Sequence, residues 1–129
     1  MYQKVAPMFL VDDVDEVVFY YKKTFGAKLF ASLPKEPPFE WASVNLNEVE
    51  FMFWQKKKAQ KEYPKGLFIS EKPANLILYL YVEDVDKLYE RIKENVEVLM
   101  EPEDQFYGIR ELTISDPFGI ILTFAQIKK

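Results

Sequence analysis

The chain has 129 residues, 49% of them hydrophobic and 16% aromatic, and a formal net charge of −4. That length and apolar content suit one folded domain able to bury a core without staples, and a mild negative charge with no basic stripe argues against nucleic acid as a partner. Cysteine and histidine are both absent, which excludes disulfides, a thiolate nucleophile, a Ser–His–Asp triad and any zinc site built on imidazole or sulfur.

The chain opens with an apolar run of strand length over 3–11. Asp13 then stands where a helix N-cap belongs, with Glu16 three residues on to complete a capping box. Val14, Val17, Val18, Tyr21 and Phe25 follow on one helical face, and Gly26 is a fitting stop. Strands are predicted over 27–33, 39–46 and 48–55, broken by "PKEPP" and "NE". The charged stretch 56–74, with Pro64, Gly66 and Pro73, reads as a linker, and the lysines within 55–66 as a solvated loop. A second strand–cap–helix then begins, with a strand over 75–82, Asp84 as cap, Val85, Leu88, Tyr89 and Ile92 as the buried stripe, and Asn95 as stop. Strands over 96–101, 108–115 and 119–127 close the chain, broken by "EPEDQFYG" and "SDPFG". The longest apolar runs, 5–11 and 76–82, are too short to span a bilayer, and the N-terminus lacks a signal peptide's charged region and cleavage site. No membrane partner and a cytoplasmic location are therefore expected.

The two halves repeat. "VDDVDEVVFYYKK" at 11–23 and "VEDVDKLYERIKE" at 82–94 open alike, 71 residues apart. The expected fold is α+β, two tandem βαβββ modules over about 1–55 and 75–129 within a single domain, 1–129. A four-stranded sheet with one helix has one covered face, so two such modules can curl their bare faces into a shared concave cleft. The bland alternative packs two ferredoxin-like units with no cavity.

Strand alternation assigns the faces. Phe51, Phe53, Leu76, Leu78, Leu80, Val82, Leu112 and Ile114 suit the helix side. The opposite face takes Ala6, Met8 and Leu10 from the first strand and Trp41, Ser43 and Asn45 from the third. Glu50, Met52 and Trp54 join it from the fourth, Ile77, Tyr79 and Tyr81 from the fifth, and Glu111 and Thr113 from the seventh. Aromatic side chains with two carboxylates suit a planar or cationic small molecule, each stacking or cation–π contact contributing about 0.5–2 kcal/mol. The plainer reading makes the aromatics a filled core or dimer interface, leaves Glu50 and Glu111 exposed on a sheet rim, and makes "DPFG" only a tight turn.

"VDDVDEVVFYYKKTFGA" and "YGIRELTISDPFGIILTF", together with the internal repeat, resemble the vicinal oxygen chelate superfamily of glyoxalases, extradiol dioxygenases and bleomycin resistance proteins. The closing hairpin is most similar to the bleomycin-resistance-like members. The resemblance implies four metal ligands, on the first and last strands of each half. It places them seven residues before each capping Asp and seven after the Asp of "DPFG", which gives Ala6, Ile77 and Thr123, with Met52 by matching the halves. These residues cannot chelate a hard or borderline cation. An offset of two would reach only Glu50.

The leading expectation is a metal-independent, cofactor-free binding protein, a homodimer of the antibiotic-resistance type, sequestering an aromatic or cationic ligand. Trp41, Glu50, Met52, Trp54, Tyr79, Tyr81, Glu111 and Thr123 are the candidate ligand-binding residues. The alternative is a family enzyme (lyase, isomerase or dioxygenase) with an atypical or metal-free site, in which Glu50 or Glu111 acts as general base with a pKa raised by burial. A third class is a structural or protein-interaction module. Bound metal would favour the enzyme, a retained small molecule the binder, and a filled cleft the structural module.

Overall fold

A computed structural model describes residues 1–62 and 76–129. The chain divides into two compact units, one from each half of the sequence.

The first unit runs β1 (Met8–Val11), α1 (Val14–Phe25), β2 (Lys28–Leu33), β3 (Trp41–Leu46), β4 (Val49–Gln55) and α2 (Lys56–Glu62). Its four strands form a mixed sheet in the order β1-β4-β3-β2, with β1 parallel to β4 and the other pairs antiparallel. Asp13 caps α1, its Oδ1 accepting the Glu16 N–H at 3.1 Å. At the other end Gly26 takes the left-handed conformation, φ 71°, and its N–H donates to the Lys22 carbonyl. That conformation is nearly free of cost only for glycine. Val14, Val17, Val18, Tyr21 and Phe25 are all buried, as their spacing predicts. They cover a sheet face formed by Ala42, Val44, Phe51 and Phe53, where the Tyr21 ring lies 5.2 Å from that of Phe53.

The second unit repeats the plan: β5 (Leu78–Tyr81), α3 (Val85–Ile92), a 3₁₀ turn (Lys93–Asn95), β6 (Glu97–Asp104), β7 (Ile109–Ser115) and β8 (Ile121–Ile127). The sheet order is β5-β8-β7-β6, with the same mixture of parallel and antiparallel pairs. Asp84 caps α3 through the Lys87 N–H at 3.1 Å. Val85 and Ile92 are buried beside Leu112, Ile114, Leu122 and Phe124, while Leu88 and Tyr89 are only half-buried. The "DPFG" turn is held by Asp116 Oδ1, which accepts the Phe118 and Ile120 N–H groups at 2.8 Å each. Two tandem βαβββ modules in an α+β fold are thus present, each sheet open rather than closed into a barrel.

Four elements differ from expectation by more than a shift of one or two residues at a strand start. The first strand does not run over 3–11 but begins at Met8. Pro7 has no N–H to extend the ladder, so its carbonyl accepts the Met52 N–H and pairing ends there. The strand expected over 75–82 spans only Leu78–Tyr81, and residue 75 lies outside the described residues. The strand expected to end at 101 continues to Asp104. Pro102 is tolerated there because β6 is an edge strand, with a register irregularity between Met100 and Glu103. Finally, the start of the expected linker is helical. α2 is rich in strong helix formers, Gln55 Oε1 accepts the Lys58 N–H at its start, and Ala59 is fully buried. Its lysines stay at the solvated surface as expected, where Lys56 pairs with Asp12 at 3.5 Å and Lys58 with Glu40 at 3.3 Å. The rest of that linker, including Pro64, Gly66 and Pro73, lies outside the described residues.

Candidate functional site

Each module has one sheet face turned away from its helix, and the eight candidate residues divide four and four between these faces. In module one Trp41 is the cross-strand partner of Trp54, Ser43 of Met52 and Asn45 of Glu50. Cross-strand partners share a face, so Trp41, Glu50, Met52 and Trp54 come together. In module two Tyr79 pairs with Thr123, Tyr81 with Ala125, and Ala125 with Glu111. Tyr79, Tyr81, Glu111 and Thr123 are therefore neighbours as well.

The two carboxylates sit in opposite electrostatic settings. Both oxygens of Glu50 are occupied, with Lys4 Nζ 2.6 Å from Oε1 and the Ser43 hydroxyl donating to Oε2. The Lys4 contact, then the Ser43 hydrogen bond, hold the Glu50 carboxyl below its ordinary range. That is the reverse of the raised pKa expected of a general base. Glu111 is 6% exposed, not on a rim, and both the Tyr79 and Tyr107 phenols donate to its Oε2, the latter at 2.7 Å. Among the described residues no cation pairs with it. Burial first, and then the bond to Glu111, raise the Tyr79 phenol pKa; the bond to Glu111 leads in raising that of Tyr107.

Lys4 and Tyr107 are absent from the candidate set, yet parity could have found both. Lys4 precedes Ala6 and Met8 at intervals of two, and Tyr107 stands four residues before Glu111, on the same strand face if β7 is extended back across its turn. The rings around Glu111 are well exposed. Tyr79 and Tyr81 meet edge to face at 5.4 Å, as do Phe106 and Tyr107 at 5.0 Å.

The 71-residue repeat carries Met8 onto Tyr79 and Met52 onto Thr123, and the register repeats with it, Met8 opposite Met52 in one sheet and Tyr79 opposite Thr123 in the other. The scaffold is repeated, but the chemistry is not. Trp54 faces Trp41 in module one, whereas the equivalent Ala125 faces Glu111 in module two. The positions where the resemblance places metal ligands hold Ala6, Met52, Ile77 and Thr123. Together they offer one thioether and one hydroxyl, and Thr123 Oγ1 is already hydrogen-bonded to Thr113 Oγ1 at 2.8 Å. That donor set does not fit a divalent metal. Among the described residues no three Asp or Glu side chains converge.

Known structures share this fold along nearly the whole chain. A protein of unknown function from Agrobacterium tumefaciens superposes with a TM-score of 0.78 at 20% identity, over 98% of this chain and 94% of that one. TioX from Micromonospora sp. ML1 gives 0.74 at 16% identity, over 96% and 95%. A glyoxalase/bleomycin resistance protein/dioxygenase from Nocardioides gives 0.78 at 16% identity, over 100% and 86%. No significant relative is found among curated proteins. The sequence pattern of the Glyoxalase/Bleomycin resistance protein/Dioxygenase superfamily matches residues 5–124, and the chain belongs to that superfamily.

Proposed function

We propose that this is a metal-independent small-molecule-binding protein of the glyoxalase/bleomycin resistance type, which sequesters an aromatic or cationic ligand without transforming it. The observation that carries the reading is the replacement of the family's ligand positions by Ala6, Met52, Ile77 and Thr123, beside sheet faces rich in aromatics. Trp41, Glu50, Met52, Trp54, Tyr79, Tyr81, Glu111 and Thr123 are the proposed contact residues. Among the described residues no helix is long and apolar enough to cross a membrane. The proposal places the whole chain, as a single domain, in the cytoplasm, with a role in antibiotic resistance as one use of such sequestration.

A homodimer belongs to the same proposal, because module two exposes Tyr79, Tyr81 and Tyr107, an apolar surface whose rim a partner copy would cover. Sedimentation showing a monomer at micromolar concentration would remove it. The ligand is tested by screening planar compounds against tryptophan fluorescence. Neutral or cationic members should quench it through Trp54, and anionic ones of similar shape should bind more weakly. A library that leaves the emission unchanged throughout contradicts the reading.

One observation favours a second reading, a metal-free enzyme of the family. The Tyr79–Glu111–Tyr107 cluster holds phenolic protons against a buried carboxylate, an arrangement able to give or take a proton. Turnover of a screened ligand with unaltered metal content would establish it over sequestration.

A further inference from the structure

We propose that Glu111 is the anchor for a protonated amine, so that the cation-binding part of the site lies in module two and not at Glu50. This rests on the small-molecule reading above and names which ligand group is recognised and where. Glu50 is already neutralised, because Lys4 and Ser43 engage its two oxygens. Glu111 is not. A carboxylate buried to this degree is rarely left without a cation, because desolvation penalises its charge.

The two phenols supply neutral donors to Oε2 alone, and Oε1 has no hydrogen bond among the described residues. Nor can the nearest guanidinium turn to it. Arg110, the adjacent residue, alternates to the other sheet face and is held there by Asp86 at 2.9 Å and Asp104 at 3.0 Å. Lys128 is likewise engaged with Asp104. Across the strand pair stands a second acid, Glu103, in register with Glu111. The face thus carries two carboxylates and, among the described residues, no cation paired to either.

Exposed rings complete the site. Tyr79, Tyr81 and Tyr107 are exposed, the first and last bonded to Glu111 itself, and only the small Ala125 stands in register between Tyr81 and Glu111. An ammonium N–H can bond Oε1 while its positive charge rests on the rings. A neutral ligand of the same shape gains the ring contacts only.

The test compares two probes of matched shape, 2-naphthylmethylammonium and 2-naphthylmethanol, by calorimetry at neutral pH on the full chain. The wild type should bind the amine at least about tenfold more tightly than the alcohol, the scale of one charge-assisted hydrogen bond. Glu111→Gln should bring the amine-to-alcohol ratio to about one, whatever it does to the alcohol affinity. Glu50→Gln, whatever it does to either affinity, should preserve the ratio. Circular dichroism verifies folding, and if Glu111→Gln does not fold, the ratio in the wild type against that in Glu50→Gln decides. Equal binding of the two probes, a preference that survives Glu111→Gln, or one lost in Glu50→Gln overturns the assignment while leaving the aromatic-binding reading intact. If neither probe binds, both fall together.

Discussion

Phe53 and Trp54 are neighbours in sequence with opposite structural roles. Phe53 is fully buried and stacks against Phe9, with ring centroids 6.0 Å apart, whereas Trp54 lies on the other face of β4, half-buried and in register with Trp41. Phe53→Ala should therefore cost about 3–5 kcal/mol in chemical denaturation, and Trp54→Ala much less, with loss of ligand-induced quenching. If Trp54→Ala unfolds the protein while Phe53→Ala is silent, the face assignment is reversed. Period-two alternation made this pair legible from sequence alone. It could not reveal where the charge of Glu50 ends, because its partners are set by tertiary contacts, Lys4 lying 46 residues away. Glu50 has a lowered pKa in the folded state, so its contribution to stability is present above its unfolded pKa and is lost as pH falls through the folded value. Lys4→Met should thus be less stable than wild type near neutral pH, and the two should converge in acid. Carbon-13 titration of the Glu50 carboxyl should show its midpoint moving upward in the variant. An unchanged midpoint would refute the ion pair.

At the scale of elements, α1 carries its own instructions. Its cap, apolar stripe and glycine stop lie within fourteen consecutive positions, 13–26, and all three are local signals. Asp13→Ala should cost about 1 kcal/mol in thermal denaturation by orphaning the Glu16 N–H. Gly26→Ala should destabilise for a separate reason. Nothing crowds a Cβ there, yet a left-handed φ of 71° strains any residue that bears one, by roughly 1–2 kcal/mol. A neutral outcome for both would mean that packing alone fixes the helix. α2 was hidden from such reasoning because its seven residues are too short for an apolar period, and its lysines resemble a solvated linker. Only the burial of Ala59 against the module gives it away. Tyr107 was obscured in the same manner, since it sits in the turn just before β7 begins and alternation is normally counted only inside a strand.

For the molecule as a whole, the repeat made the fold legible and concealed the asymmetry of its chemistry. Two copies of strand, capped helix and three strands require only local patterns, and each half shows them. Which side chains replaced those that the superfamily resemblance implies is also readable by position, because Ala6, Met52, Ile77 and Thr123 are unambiguous residues. What sequence spacing could not show is that module one neutralises its carboxylate and module two leaves its own clasped by phenols, since that depends on side chains brought together across strands. The central claim is that binding here proceeds without a divalent metal. Calorimetric titration of the metal-stripped chain with Zn²⁺ and Mn²⁺ tests it most directly. The expected result is binding no tighter than scattered surface carboxylates provide, unaffected by Met52→Ala or Thr123→Ala. A tight one-to-one site abolished by either substitution would contradict the account.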